Sequence, residues 1–284
     1  MSEVEWDETP ELRRPILVAA FEGWFDAGDA ATGAIELLRA RYDAPRVARI
    51  RAEEFFDFTQ RRPEVRLDEN GERTILWPDT EVHAVWVDDR EHDLVLIGGV
   101  EPHLRWQAFC SSVLEVAQRC DCAFVVTLGA MVAGVPHTRP ASVVGSSSNA
   151  ELAERLGLDQ PSYQGPTGIV GTLHDRLHRA GIPAVSLRVG IPHYVAGPPN
   201  PKGTRALLQR FEQVTGIPSG WAELDTAVID WEQRVTAAVA GDDDVAEYVQ
   251  QLEEEVDRRA TESLPSGDDL AAEFQRFLRE QDDD

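Results

Sequence analysis

Polar side chains that could transfer protons or bind anions follow three apolar runs of this chain. The runs are Leu94–Ile97, Ala123–Leu128 and Val185–Val189, and their β-branched content predicts buried strands. The polar and aromatic residues that follow them are Glu101, His103, Arg105, His137, Thr138, Arg139, His193 and Tyr194. Carboxylate, imidazole and guanidinium groups together can perform acid–base chemistry or bind an anion. We therefore expect the functional site among these residues.

The elements around these residues predict that they share one edge of a sheet. Leu104–Arg119 carries apolar residues at helical spacing between the first two runs, which indicates a strand–helix–strand unit. In open α/β sheets, ligands bind beyond the carboxyl ends of parallel strands. We therefore expect Glu101, His137 and His193 to lie close together at that edge.

The clusters also have structural interpretations. Glu101 and Pro102 are typical of a helix start, where a carboxylate interacts favourably with the helix dipole. The two prolines of Val135–Pro140 hold an extended backbone that could present a histidine and an arginine to a ligand. Arg139 can equally serve as the ion-pair partner of a nearby carboxylate such as Glu101.

Two glycine-containing turns precede predicted helices. Gly165 and Gly168 come before Ile169–Ala180, and Gly145 opens a Gly-Ser-Ser-Ser-Asn sequence before Glu151–Leu156. Either turn could hold an anion at the amides of a helix N-terminus, although turn and cap roles are commoner. The nucleotide-binding patterns GxxxxGK[ST] and GxGxxG after a strand are absent. Neither turn is therefore a nucleotide-binding fingerprint.

Metal binding and covalent catalysis lack a complete set of residues. His174 and His178 have the spacing of two metal ligands on one helix face, but no third ligand accompanies them at a known spacing. Cys110 lies on the apolar face of its predicted helix, and the GxSxG pattern of serine hydrolases is missing. We therefore predict no metal, no cofactor and no catalytic residue.

The composition restricts the compartment and the partners. With 27 basic and 51 acidic residues, the net charge of −24 repels phosphate backbones, so we expect no nucleic-acid partner. No apolar run approaches the roughly 18 residues of a membrane span. The N-terminus is acidic where a signal peptide would be basic, and the three cysteines are too few for a disulfide framework. These features predict a cytoplasmic protein with no membrane association.

Further strands and helices surround the central unit and predict an α/β fold with an antiparallel section. Asp26 or Asp29 is expected to cap the first helix, and Asn70-Gly71 indicates a hairpin turn. The remaining predicted elements are the strand Pro15–Phe21, the helix Ala30–Tyr42, the strand Val47–Arg51, the hairpin strands Val65–Leu67 and Thr74–Trp77, the strands Val82–Val87 and Ala141–Gly145, and the helix Thr204–Val214.

The chain changes character near residue 220. From Trp221 to Asp284 it contains 20 acidic residues and five arginines. Apolar residues between Trp221 and Ala238 alternate steps of three and four, which predicts one helix with a narrow apolar seam, and two more helices are predicted over Val245–Arg259 and Leu270–Arg279. We therefore divide the chain into an α/β core domain, 1–219, and an acidic helical extension, 220–284, packed on the core or on a neighbouring subunit.

Several of these segments together resemble the proteasome assembly chaperone 2 (PAC2) family, in particular members from high-GC Gram-positive bacteria. The matching stretches, spread between Pro15 and about Gly216, are Ala20–Trp24, Asp26–Gly28, Gly98–Pro102, Trp106, Leu128-Gly129, Pro136–Pro140, Gly165–Gly168 and Pro192–Tyr194. The resemblance implies a three-layer α/β/α fold with a mixed sheet, similar to nucleoside phosphorylases and nucleosidases. It also implies self-association and, in the better-understood branches, a chaperone role in proteasome assembly.

Two hypotheses of function follow. The first is a non-enzymatic, self-associating scaffold or assembly chaperone with a proteasome-related partner. The second is a nucleoside- or nucleotide-binding protein, or a phosphorylase- or hydrolase-like enzyme, with a pocket lined by His103, His137 and His193. Both use a rim at the strand ends, composed of Glu22, Trp24, Glu101, His103, Arg105, His137, Arg139, Gly165, Gly168, His193 and Tyr194.

The sequence differs from the family pattern in its C-terminal residues. Family members that dock on the proteasome end in a hydrophobic residue, a tyrosine and any residue, whereas this sequence ends in Gln281–Asp284. We therefore do not expect docking through such a tail.

Overall fold

The computed structural model describes residues 2–68 and 70–262 of the chain. The strands are β1 (Val4–Trp6), β2 (Ile16–Glu22), β3 (Arg46–Ile50), β4 (Glu64–Leu67), β5 (Arg73–Leu76), β6 (Thr80–Val85), β7 (Leu94–Val100), β8 (Phe124–Ala133), β9 (Val143–Ser147) and β10 (Ala184–Pro192). The α-helices are α1 (Ala30–Arg41), α2 (Trp106–Arg119), α3 (Ala150–Leu156), α4 (Ile169–Arg179), α5 (Pro201–Thr215), α6 (Asp225–Val239) and α7 (Asp243–Glu262).

A mixed eight-stranded sheet forms the centre of the molecule, in the order β1-β3-β6-β7-β2-β8-β10-β9. The four central strands β7, β2, β8 and β10 are parallel, and the strands outside them pair antiparallel. The carboxyl ends of the four parallel strands therefore lie at one edge of the sheet, hereafter the carboxyl edge. The mixed sheet predicted from the sequence is confirmed.

Helices cover both faces of this sheet, which gives the expected three layers. Strand β2 is apolar at nearly every position because its alternate side chains enter two different cores. Leu17, Ala19 and Phe21 pack towards α2 and α4, whereas Ile16 and Val18 pack towards α1 and α5. The strands that lead to the strand-end loops are therefore buried on both faces of the sheet.

The predicted boundaries of β8 and β10 are too short. Their predicted ends, Leu128 and Val189, lie inside an unbroken parallel ladder that runs to Ala133 and Pro192. Gly129 does not end the strand. The Phe25 ring occupies the space that a side chain at this position would fill, so the glycine allows close packing. Pairing with a neighbour thus extends a strand beyond the apolar run visible in its own sequence.

Other predicted elements need smaller corrections. Strand β1 was not predicted, and Ala141–Gly145 is displaced to β9. The single helix predicted from Trp221 to Ala238 is a short 3-10 turn, Trp221–Leu224, followed by α6. The helix predicted over Leu270–Arg279 lies outside the described residues.

The hairpin predicted around Asn70-Gly71 is present as β4 and β5, which form a separate two-stranded sheet. Gly71 has φ +79°, the conformation that such a turn requires of glycine. Across residues 2–68 and 70–262, none of the helices combines the length and apolar character needed to cross a bilayer.

Candidate functional site

Most of the predicted rim residues follow the parallel strands at the carboxyl edge, but their contacts divide them into two clusters and a separate pair, His103 and Arg105. The Glu101 cluster consists of Glu22, Trp24, Glu101 and Gly168, at the ends of β2 and β7 and the start of α4, and Gly165 lies in the turn before it. The His137 cluster consists of His137, Arg139, His193 and Tyr194, around the ends of β8 and β10, together with Lys202, which was not predicted.

In the Glu101 cluster, a carboxylate caps a helix from another part of the chain. Glu101 Oε1 accepts a hydrogen bond from the backbone N–H of Ile169, 2.8 Å away, at the start of α4. The N-cap residue of that helix is Gly168, which has no side chain to do this. The anion that the Gly165–Gly168 turn could have bound is therefore the protein's own Glu101, which also interacts favourably with the helix dipole.

Trp24 lies beside this cap and is largely exposed to solvent. A Cβ atom on Gly168 would lie 3.4 Å from the Trp24 ring and 2.9 Å from Glu101 Oε1, so the glycine allows close packing. The Trp24 residue is nevertheless 68% exposed. Tyr163, in the loop before Gly168, is 70% exposed, and its hydroxyl donates to the carbonyl of Pro166. Two large aromatic side chains, one in the cluster and one in the loop before it, are thus exposed to solvent.

His103 and Arg105 contact a different segment. The backbone N–H of Asp57 donates to His103 Nδ1 over 3.0 Å, and the ring packs edge-to-face on Phe56. Arg105 forms an ion pair with Glu54. These two residues therefore attach the loop after β3 to the start of α2, and neither contacts the His137 cluster.

His137 uses both ring nitrogens to join three segments. Its Nδ1 lies 2.9 Å from the Tyr194 hydroxyl, which also accepts from the His137 backbone N–H, and its Nε2 lies 3.0 Å from Thr236 Oγ1 on α6. The pattern fits a neutral ring protonated at Nε2, since the hydroxyl can then donate to Nδ1. Burial, and then the nearby charge of Lys202, lower the pKa of His137. The side chain is an anchor for α6.

Helix α7 covers the rest of the His137 cluster. Arg139 lies 2.8 Å from Asp257 and 3.6 Å from Glu253, and the His193 ring packs edge-to-face on Tyr248. Arg139 therefore pairs with carboxylates, as its structural interpretation expected, but these are Asp257 and Glu253 and not Glu101. Glu253 and Asp257 are four residues apart, so the sequence alone places them on one helix face as a possible partner for an arginine. It does not say which arginine that face contacts.

Two cavities lie at the carboxyl edge. The larger, of about 320 Å3, is lined by Glu22, Thr32, Glu36, Arg61, Pro78, Asp79, Gly98, Gly99 and Val100. Its carboxylates have basic partners, with Glu22 3.3 Å from Arg61 and Asp79 3.4 Å from Arg49. The smaller, of about 100 Å3, lies under α6 and α7 and is lined by one of the three histidines of the enzyme hypothesis, His137. Neither cavity is the predicted three-histidine pocket.

Comparisons with known proteins place the chain in a family. The model of the PAC2 family matches residues 20–239. The chain belongs to the PAC2 family. This confirms the resemblance stated from the sequence motifs.

Solved PAC2 structures share the fold closely. A PAC2 family protein from Streptomyces avermitilis is 43% identical, with a TM-score of 0.78 over 83% of this chain and 99% of its own. The Mycobacterium tuberculosis proteasome-assembly chaperone homologue Rv2125 is 41% identical, with a TM-score of 0.74 over 82% and 99%. The Pyrococcus furiosus archaeal proteasome activator PbaB, at 16% identity and a TM-score of 0.67 over 83% and 97%, shares the fold. The search of curated proteins found no match.

The remaining metal and nucleophile candidates of this PAC2 family member are His174, His178 and Cys110. His174 Nε2 lies 2.8 Å from Thr127 Oγ1 in the adjacent strand. Within the described ranges, no three His, Cys, Asp or Glu side chains converge in a way that could hold a metal ion. Burial raises the pKa of Cys110 to about 12, so this thiol is a poor nucleophile at neutral pH.

Sequence reasoning missed two residues of the smaller cavity. Asn200 caps α5, and Lys202, the only lysine in the chain, donates to the carbonyl of His137 and pairs with Glu232. The Asn-Pro pair before a helix was a signal for the cap, because asparagine is a favoured N-cap and proline a favoured first helical residue.

Proposed function

We propose that this PAC2 family member is a non-enzymatic, self-associating assembly chaperone whose partner is a proteasome-related protein. The observation that carries the proposal is the exposed Trp24 beside Gly168, the residue before the helix that Glu101 caps. The 41% identity to a proteasome-assembly chaperone homologue supports the choice of partner.

The physical argument concerns the cost of ordering a binding surface. Tryptophan and tyrosine contribute much of the binding energy at protein interfaces, where they fill pockets on the partner. A ring already fixed by its own chain loses little conformational freedom on binding. The Trp24 ring lies against Gly168, where a Cβ atom would be 3.4 Å from it, and Tyr163 is a second exposed aromatic residue, in the loop before Gly168.

The experiment measures binding to purified proteasome subunits from the same organism, before and during their assembly. The wild-type chain is expected to bind unassembled subunits or intermediates, and Trp24→Ala should weaken that binding by roughly tenfold or more. Trp86→Ala is the matched control. Trp86 is 46% exposed and follows β6, whose carboxyl end lies beside the amino end of β7, at the opposite edge of the sheet.

Three results would contradict the proposal. They are the lack of binding by the wild-type chain to any subunit, an equal loss in both variants, and no loss in Trp24→Ala. Circular dichroism of both variants would verify that each remains folded.

A further inference from the structure

The hairpin of β4 and β5 is uncovered on both faces. All of its strand positions are exposed to solvent, and the two strands form a sheet of their own. At its base, Trp77 packs on Phe58, whose side chain lies against one of the two cores, and Arg61 lies 3.3 Å from Glu22. The body therefore holds the base of the hairpin and leaves its strands in solvent. A two-stranded hairpin is only marginally stable in water by itself, so a partner on one face would stabilise it.

One face of this hairpin is apolar. The register pairs Val65 with Ile75 and Leu67 with Arg73, so these four side chains share a face, hereafter the hairpin face. The opposite face carries Glu64, Arg66, Thr74 and Leu76. Such alternation is typical of strands that bury one side, yet the three apolar residues of the hairpin face are between 46% and 68% exposed. An apolar cluster left in solvent on a projecting element indicates a docking surface.

The charges of the hairpin fit a second copy of the same chain. Residues 61–76 contain four arginines and four acidic residues, so this segment is neutral in a chain with a net charge of −24. Two copies therefore repel each other less here than elsewhere on their surfaces. Residues 61–66 contain three arginines and one glutamate, whereas residues 68–73 contain three acidic residues and one arginine. A two-fold axis that sets the turn of one hairpin over the base of the other thus brings opposite charges together.

Charged side chains at both ends of the hairpin are free to make these contacts. Arg62 and Arg66, before and within β4, form no hydrogen bond or ion pair with another residue that the structure describes. The carboxylate of Glu72, beside the turn, is likewise unpaired within residues 2–68 and 70–262. These groups can therefore pair with a second molecule without breaking a contact in their own chain.

We propose that the hairpin face is a contact between two copies of the chain, related by a two-fold axis that sets the turn of each hairpin over the base of the other. Val65, Leu67 and Ile75 of one copy pack on the same residues of the other, and Glu72 faces Arg62. The proposal rests on the self-association in the proposed function and assigns to it a surface different from Trp24.

The size of the hairpin face sets the expected affinity. Two strands of four residues offer a face well below the roughly 800 Å2 per partner of a stable interface. We therefore expect a weak dimer with a Kd of roughly 10–100 µM. The apolar residues supply the affinity, and the charged ends select the orientation.

The first test compares Ile75→Glu with Thr74→Glu by sedimentation equilibrium in about 0.5 M sodium chloride, where the overall repulsion is screened. Both variants add one negative charge to β5, but on opposite faces of the hairpin. Ile75→Glu places a carboxylate in the apolar contact of both copies and should raise the Kd by at least about tenfold. Thr74→Glu should dimerise like the wild type.

The second test reverses charges at the two ends in about 0.1 M sodium chloride. Glu72→Arg lowers the net negative charge of the chain, yet it should raise the Kd by roughly threefold, because it sets arginine against Arg62. Adding Arg62→Glu to the same chain reverses both ends and should return the Kd to within about twofold of the wild type. A hairpin that contacts any other surface would not regain affinity in the double variant.

Hydrogen exchange of the wild type provides a measurement that needs no variant. Amides of residues 64–76 should exchange more slowly at about 300 µM than at about 10 µM protein, because the dimer protects the hairpin. The same variants are also tested for binding to proteasome subunits. Ile75→Glu should bind them as the wild type does, so loss of the dimer and loss of the Trp24 contact are measured separately.

Any of four results overturns the proposal. They are a wild type that stays monomeric, equal dimerisation of Ile75→Glu and Thr74→Glu, no recovery in the double reversal, and exchange at residues 64–76 that does not depend on concentration. Loss of subunit binding in Ile75→Glu with an unchanged dimer would instead make the hairpin face a subunit contact. Should Ile75→Glu fail to fold, the exchange measurement and the double reversal decide.

Discussion

At the scale of single residues, the side chains with the most obvious chemistry at the carboxyl edge are used to join segments of backbone. Glu101 accepts from the first turn of α4, and His103 accepts from the backbone of Asp57. Loops that leave a sheet carry unpaired N–H groups, and each buried one needs an acceptor. A polar residue after a strand is therefore as well suited to holding the next segment as to catalysis.

His174 leads to a prediction about pH. Burial, and then the charge of Arg188, lower the pKa of His174 to about 4. Because the folded value lies below the ordinary one of about 6.5, the unfolded chain binds the proton more readily. The stability linked to His174 is thus complete above about pH 6.5 and is lost as the pH falls towards 4, by about 2 kcal/mol after allowance for its partial solvent access.

Urea unfolding of the wild type and His174→Gln between about pH 7 and 4.5 measures this difference, since the variant lacks the titrating ring. As the pH falls, the unfolding free energy of the wild type should decrease more than that of His174→Gln. His178→Gln, on the exposed side of the same helix, should follow the wild type. A constant gap between wild type and His174→Gln would show that His174 does not set the acid response.

At the scale of elements, α6 and α7 close the carboxyl edge over the His137 cluster. Helix α6 is joined to the body by His137–Thr236 and by the pair of Lys202 with Glu232, and α7 by the ion pairs of Arg139. Buried Trp231 and Val235 add apolar contact. The division into a core, 1–219, and an extension, 220–284, stays a prediction, although α6 and α7 pack on the core of their own chain.

The chemical reactivity of Lys202 can show whether α6 covers the His137 cluster in solution. It is the only lysine, its side chain is 12% exposed, and it lies between the His137 carbonyl and Glu232. Its acylation by an N-hydroxysuccinimide ester should therefore be slow in the folded protein. Glu232→Gln weakens the pair and should raise the rate by roughly fivefold, in line with the loss of about 1 kcal/mol from one partly exposed ion pair.

The measurement is peptide mass spectrometry over a time course of labelling. Glu223→Gln is the control, because it removes an exposed ion pair with Arg41 that lies just before α6. Equal rates in the two variants, or rapid labelling of the wild type, would refute the closed arrangement around Lys202.

At the scale of the whole molecule, the net charge of −24 opposes the self-association that we propose. Two copies of a strongly acidic chain repel each other, and salt screens this repulsion as the Debye length falls from about 10 Å at 0.1 M to about 3 Å at 1 M. Apolar contacts between copies would have to exceed that repulsion. Salt should therefore strengthen self-association.

Sedimentation equilibrium tests this prediction. The dissociation constant between copies should fall by roughly tenfold between about 0.05 and 0.5 M sodium chloride. A matched series in sucrose, which does not screen charge, should give a smaller change at equal osmolality. A monomer at every concentration would remove self-association from the proposed function, and dissociation by salt would indicate an interface of charge pairs.

Much of the fold was predictable from local patterns. Apolar runs located β2, β7, β8 and β10, helical spacing located α2 and α4, and Asn70-Gly71 located the β4–β5 hairpin. The sequence left Asp26 and Asp29 as alternative caps of the first helix. The structure selects Asp26, whose Oδ1 accepts from the backbone N–H groups of Ala31 and Thr32 at the start of α1. Strand lengths were less predictable, because the ladder between β8 and β10 extends past the apolar residues of each.

Local patterns in the sequence were enough to predict most of the strands and helices, the parallel strand ends at one edge, and the PAC2 motifs. Apolar periodicity and turn residues act over a few neighbouring positions, so such features can be recognised in short segments. The pairing of Arg139 with Asp257, the cap that Glu101 provides to α4, and the buried Asn200 Nδ2 with no hydrogen-bond partner in the described chain became visible only in the folded structure. Those outcomes depend on how helices distant in sequence pack on one sheet, and packing is set by the whole chain.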